Sequence, residues 1–328
     1  MTALVDRFNR PHHDLRISLT DRCSLRCTYC MPADGVPWLA RSTMLSTDEI
    51  IRVARVGVEN GITEIRLTGG EPLLRVDVVD IVRRLTALPN APEVSITTNA
   101  LRLPALAAPL KDAGLSRVNI SLDTLDRARF MELTRRDRLV ETLAGIAAAD
   151  AAGLRPVKIN AVAMRGVNDD EVVALTRFAV DRGYQMRFIE QMPLDGGHTW
   201  DRVQMVTQAE ILERLAGEFT LTEVEGRGAA PAELWYVDGG PQTVGVIASV
   251  TAPFCGACDR LRLTADGQLR ACLFSEAEVD TRQILREGGT DADLVDAYLR
   301  CLAGKKAGHG IGEPGFHQPD RPMSAIGG

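Results

Sequence analysis

Leu15-Arg16-Ile17-Ser18-Leu19-Thr20-Asp21-Arg22-Cys23-Ser24-Leu25-Arg26-Cys27-Thr28-Tyr29-Cys30 begins with the alternation of a strand and ends as a three-legged cradle. From Leu15 to Thr20 apolar and polar residues take turns, the period-two pattern of a pleated strand whose two faces meet different surroundings. Three cysteines then fall within eight residues, so one short loop can bring three thiolates onto one compact inorganic centre. Soft sulfur ligands select zinc, copper(I) or an iron–sulfur cluster. Three of them leave a structural zinc one ligand short, or leave one iron of a four-iron cubane open to a non-protein ligand.

The same alternation recurs at residues 64–68, 93–99, 117–123, 157–164 and 185–191. Helical periodicity lies between these runs at 48–59, entered through the capping box Ser46/Glu49, and at 76–88, 139–152 and 170–182. Six β/α units in succession predict an α/β fold with a parallel sheet, either opened or curled into a barrel. Every second strand residue is polar: Arg16, Ser18 and Thr20; Glu64, Arg66 and Thr68; Ser95, Thr97 and Asn99; Asn119, Ser121 and Asp123; Lys158 and Asn160; Gln185 and Arg187. A closed eight-stranded barrel fills its interior with branched apolar side chains, so this pattern predicts a wider, wet lumen. A solvated sheet face is the other reading, but sheets built from β/α units seldom leave a face to water. The expected architecture is an incomplete (β/α)6 TIM-like barrel over residues 1–195, with a C-terminal antiparallel β/α extension over 196–328.

Arg16, Arg66, Lys158 and Arg187 share that lumen, whose expected carboxylates are Glu64 and Asp123, with Glu71 at the rim. Buried cations are costly unless paired, so an anionic ligand would complete the set. The guanidinium fork suits phosphate oxygens, which favours a polyphosphate over a monocarboxylate. After the second strand, Thr68-Gly69-Gly70-Glu71-Pro72 gives a turn whose glycines let backbone approach a ligand closely.

Composition sets outer limits. The chain of 328 residues is 45% hydrophobic, enough for a large core. It has no apolar run of membrane-spanning length and no secretory leader pattern, so a cytoplasmic protein without membrane partners is expected. Seven cysteines in a reducing compartment read as ligands before disulfides. A net charge of −6 argues against general nucleic-acid affinity.

Beyond Met192, Gly196-Gly197 reads as a linker, 207–216 as a helix, and 219–249 as short strands packed on the barrel. A second triplet follows, Cys255, Cys258 and Cys272, spanning a hairpin that turns at Asp266-Gly267. Arg260, Arg262 and Thr264 share one face of its first strand. Zinc remains the plain alternative here too, although no fourth ligand follows at finger spacing. Cys301 fits neither triplet and reads as an ordinary core or surface thiol.

Cys23-x3-Cys27-x2-Cys30, with Tyr29 before the last cysteine, resembles the radical S-adenosylmethionine (SAM) enzymes. Gly69-Gly70-Glu71-Pro72 resembles the element that holds the amino group of SAM in that superfamily. Two three-cysteine sites separated by six β/α units, with Cys258-Asp259-Arg260-Leu261-Arg262-Leu263-Thr264 in the second, narrow the resemblance to the GTP 3′,8-cyclases of molybdenum cofactor biosynthesis. That resemblance runs from Leu15 to the terminal Gly327-Gly328.

It implies two [4Fe-4S] clusters, one on Cys23, Cys27 and Cys30 and one on Cys255, Cys258 and Cys272. It implies SAM contacts at Tyr29, Gly70, Ser121 and Met192, and GTP contacts at Arg16, Arg66, Thr97 and Lys158, to which Arg187 is added. Arg260 and Arg262 would lie beside the reacting nucleotide, and the Gly327-Gly328 tail would reach into the active site. Glu64 stands where some relatives carry lysine. The implied partners are GTP, a flavodoxin- or ferredoxin-like electron donor and a cyclic pyranopterin monophosphate synthase that takes the product; a homodimer is left open. A peptide-modifying radical SAM maturase, which has no need for a cluster of arginines in the lumen, and a non-enzymatic iron–sulfur sensor or zinc-binding adaptor, which would release no 5′-deoxyadenosine, are the competing classes.

Overall fold

The six alternating runs form six consecutive parallel strands in the computed structural model, which describes residues 3–327. These are β1 (Asp14–Ser18), β2 (Glu64–Thr68), β3 (Glu93–Thr98), β4 (Arg117–Ser121), β5 (Val157–Ala163) and β6 (Gln185–Glu190). Between them lie α1 (Thr47–Glu59), α2 (Val78–Thr86), α3 (Leu103–Asp112), α4 (Arg127–Thr134), α5 (Leu139–Ala151) and α6 (Val172–Val180). Alternation sorts the faces as expected. Ile17, Ile65, Leu67, Ile96, Val118, Ile120, Ile159 and Met186 are fully buried against the helices, leaving the polar partners to the inner face. The capping box of α1 is formed, with Ser46 Oγ accepting from Glu49 N at 3.2 Å and Glu49 Oε2 from Ser46 N at 2.7 Å.

The run at 76–88 is shorter than its periodicity suggests. Glu71 caps a single tight turn at Pro72–Leu74, Arg75 pairs with Asp77 at 2.7 Å, and α2 begins only at Val78. Proline's missing N–H and fixed φ suit that first turn.

The C-terminal segment departs further from expectation. It contributes α7 (Gln208–Ala216), β7 (Leu221–Glu223), β8 (Glu233–Val237), β9 (Thr243–Ile247), β10 (Arg260–Leu263), β11 (Gln268–Arg270), β12 (Val279–Asp280), α8 (Thr281–Arg286), α9 (Asp291–Ala303) and α10 (Met323–Ile326). Its strands are not a separate layer on the barrel. β9 pairs in parallel with β6 and β10 in parallel with β1, so the described residues form one 12-stranded sheet ordered β12-β11-β10-β1-β2-β3-β4-β5-β6-β9-β8-β7. The hairpin predicted at Asp266-Gly267 is present as β10/β11, the short strands expected over 219–249 form the antiparallel β7, β8 and β9, and the two groups occupy the two ends of the sheet. The ends do not pair, so the barrel stays open. No helix among the described residues is long and apolar enough to cross a membrane.

Candidate active site

Both cysteine triplets open onto one cavity of about 320 Å³. Cys23, Cys27 and Cys30 sit on the loop after β1; Cys255 and Cys258 precede β10, and Cys272 follows β11. Arg16, Arg66, Arg187, Arg260 and Arg262 line the same space, with Tyr29, Gly70, Thr97, Ser121 and Met192. Lys158 does not line it. That side chain lies lower on β5, among Arg66, Arg117 and Arg187.

The first loop is pinned from β2. Gly70 N donates to Thr20 O and Glu71 N to Arg22 O, both at 2.7 Å. A Cβ on Gly69, whose φ is +144°, would stand 2.4 Å from Thr20 O, and one on Gly70 would stand 2.4 Å from both Asp21 O and Arg22 O. Only glycine permits that approach. Glu71 is not at the rim. It is 1% exposed and accepts from Leu73 N, Thr98 Oγ1 and Asn99 N, joining the turns after β2 and β3. Burial outweighs those donors and lifts its carboxyl to about 7. Tyr29 OH donates to Asp123 Oδ2 at 2.8 Å, while Val162 N donates to Asp123 Oδ1 at 2.9 Å. Burial raises Asp123 to about 6.

The cations outnumber the carboxylates able to meet them. Asp14, on the floor of the sheet, lies 3.7 Å from Arg16 Nε and 3.4 Å from Arg260 Nε. Arg16 Nε is buried without a hydrogen-bond partner. Burial, then Arg66 and Arg117, brings Arg187 down to about 9; burial, then Arg187, Arg117 and Arg66, brings Lys158 to about 7. Glu64, expected in the lumen, is exposed at the amino end of β2 and 3.4 Å from Arg117. Arg117 also pairs with Glu93. It faces the lumen two residues before Asn119 and in register with Ser95, so alternation extended one step would have found it. A crowd of like charges with few counterions is a site for a polyanion.

The triplets differ in their electrical surroundings. Burial lifts Cys23 to about 11 and Cys30 to about 12, and it drives Cys27 well above its usual value, with Asp123 adding to the effect. Burial also raises Cys258, but Lys305 and Arg260 more than offset it and leave that thiol below its usual value. Arg260 Nη1 lies 3.8 Å from Cys258 Sγ and its guanidinium stacks 4.7 Å from the Phe254 ring. Neither Lys305 nor Arg10, which donates to Cys255 O at 2.6 Å, was signalled by any motif. All six cysteines are free, and among the described residues no group of His, Cys, Asp and Glu is gathered tightly enough for a single ion. Three soft donors facing open space fit a cluster wider than one atom. Cys301 is a residue of α9 and is buried in the core.

The tail enters this space. Arg321 binds Asp266 at 2.9 Å and Glu278 at 2.8 Å, and Met323 N donates to Leu194 O. Arg262 Nη1 donates to Gly327 O. A Cβ on Gly327, whose φ is +87°, would stand 2.4 Å from Thr68 Oγ1. Gly328 lies outside the described residues.

Two family models match: Radical SAM superfamily over residues 17–179 and Molybdenum Cofactor Synthesis C over 184–311. A GTP 3′,8-cyclase of Streptomyces coelicolor is 56% identical, covering 99% of this chain and 96% of that protein. One of Mycolicibacterium smegmatis is 53% identical over 99% and 92%. Among solved structures, SuiB of Streptococcus suis bound to S-adenosylmethionine superposes with a TM-score of 0.63 at 16% identity, over 84% of this chain and 64% of that one. That likeness speaks for the fold.

Proposed function

The chain belongs to the GTP 3′,8-cyclase family of radical SAM enzymes, and from this premise we propose how its residues divide the work of the first step of molybdenum cofactor biosynthesis. The enzyme carries two [4Fe-4S] clusters and uses SAM; Cys23, Cys27 and Cys30 would hold the first cluster, and Cys255, Cys258 and Cys272 the second. When bound, the first cluster and SAM supply a 5′-deoxyadenosyl radical that takes the 3′ hydrogen of GTP, so that C3′ joins C8 of guanine and one electron and one proton complete 3′,8-cyclo-7,8-dihydro-GTP.

The protein's own contribution is placement. The backbone of Tyr29, Gly70, Ser121 and Met192 would receive SAM on the β2 and β4 side of the cavity. Gly70 suits this because no side chain fits between it and the cysteine loop. Arg16, Arg66, Thr97, Lys158 and Arg187 would take the ribose and triphosphate, where few carboxylates compete for them. Arg260 and Arg262 would flank the nucleotide beside the second triplet, with Arg262 held by the Gly327 carbonyl. A radical takes the nearest hydrogen, so such fixed positioning governs the outcome. The tail would help keep water from the intermediate. In this division 1–195 serves SAM and 196–328 serves the second cluster and the tail. A flavodoxin- or ferredoxin-like carrier would supply electrons in the cytoplasm, and a cyclic pyranopterin monophosphate synthase would consume the product.

The observation that carries the reading is that two thiol triplets and five arginines share one cavity. Reconstituted anaerobically with SAM, dithionite and GTP deuterated at C3′, the protein should release deuterated 5′-deoxyadenosine. The nucleotide should become an isomer of GTP that elutes apart from it. Unlabelled 5′-deoxyadenosine with GTP recovered unchanged would overturn the proposal.

A further inference from the structure

Lys305 is a buried cation that no carboxylate among the described residues meets within ion-pair distance. It follows α9 and is 3% exposed; its ammonium donates to Arg260 O at 2.6 Å and lies 3.7 Å from Cys258 Sγ. No carboxylate among the described residues forms an ion pair with it. Asp6, the nearby acid, is occupied by Arg10, whose Nε lies 2.7 Å from it, and by the backbone N–H groups of Phe8 and Arg10. The neighbouring His12 is 1% exposed, and neither ring nitrogen has a hydrogen-bond partner. Such isolation is costly for an ammonium. The groups that can repay it are the thiolates of the second triplet.

The surroundings of the two triplets lean in opposite directions. Asp123 and Glu71 bear on the first, with Arg26 opposing them at Cys23, while Lys305, Arg260 and Arg10 bear on the second, with Asp259 the lesser opposing charge at Cys258. A reduced cluster carries one more negative charge than an oxidised one. A fixed cation at this distance, with an N–H directed at a ligand sulfur, favours the reduced form.

We propose that Lys305 is a positioning residue for the second centre: it steadies the Cys258 arm against β10 and raises the reduction potential of the cluster there. The proposal rests on the reading of Cys255, Cys258 and Cys272 as the second cluster's ligands.

The full-length chain carrying Cys23→Ala, Cys27→Ala and Cys30→Ala isolates that centre. After anaerobic reconstitution with iron and sulfide it should hold about four irons per chain, one cubane's content, and its midpoint can be followed by electron paramagnetic resonance during reductive titration. In this background Lys305→Met and Lys305→Gln should move the midpoint to more negative potential, while Lys305→Arg stays close to the parent. Glutamine keeps a donor without charge, so it reports on the charge even if the methionine variant binds iron poorly. An unchanged midpoint in the glutamine variant at full iron content would overturn the role. Iron loss in both neutral variants with no shift in the remaining centres would overturn it equally. A parent that binds no iron would sink the ligand assignment itself.

Discussion

Lys158 carries a charge whose cost depends on what else occupies the barrel. Its ammonium titrates at 10.5 when free and at about 7 in the folded chain, because burial and then Arg187, Arg117 and Arg66 oppose it. Between those values the unfolded chain binds more protons, so the ligand-free protein should gain stability as pH rises from about 7 toward about 10. Lys158→Met should flatten that rise in thermal melts. A bound triphosphate reverses the balance by favouring the charged lysine, so binding takes up a proton above pH 7. GTP affinity, measured by calorimetry, should fall as pH rises through that window, by at most about tenfold per unit, and the methionine variant should lose this slope. Alternation alone predicted the lumen position of Arg16, Arg66 and Arg187, because a strand's period is short and local. It could not reveal Lys305 or Arg10. These act through irregular backbone, where spacing carries no directional information.

At the scale of the element, the turn after β2 shows how a common dipeptide becomes specific. Gly69 and Gly70 lie against the carbonyls of Thr20, Asp21 and Arg22, so the turn sets where the cysteine loop begins. Gly70→Ala should push that loop outward. Iron content after reconstitution should fall by about half, the share of one of two cubanes, while the second centre keeps its spectrum. Retention of full iron would show that the close approach is dispensable. The six strands of the barrel were legible because each alternates over five to seven residues. α3 was less so, since Pro104 and Pro109 interrupt its pattern. The pairing of β9 with β6 and of β10 with β1 was not legible at all, because partner choice between distant segments leaves no periodic trace.

Across the whole molecule the site is assembled from both ends of the chain. Arg321 ties the tail to Asp266 and Glu278, on either side of Cys272, and Gly327 ends against Ser18 and Thr68. Gly327→Ala would meet Thr68 Oγ1 and force a positive φ on alanine. Both clusters should load normally, yet product per 5′-deoxyadenosine released should drop several-fold. Unchanged coupling between cleavage and cyclisation would show that the tail takes no part in directing the radical.

The pairing of β1 with β10 also bears on how the protein is made. Asp14 meets Arg260 and Ile17 meets Leu263, so during synthesis β1 has one edge open until the more than two hundred residues leading to β10 have been translated. Contacts so remote along the chain form slowly, and a bare strand edge invites pairing with neighbours. Nascent chains of this protein should therefore depend on chaperone shielding during synthesis, and metal loading should follow release from the ribosome.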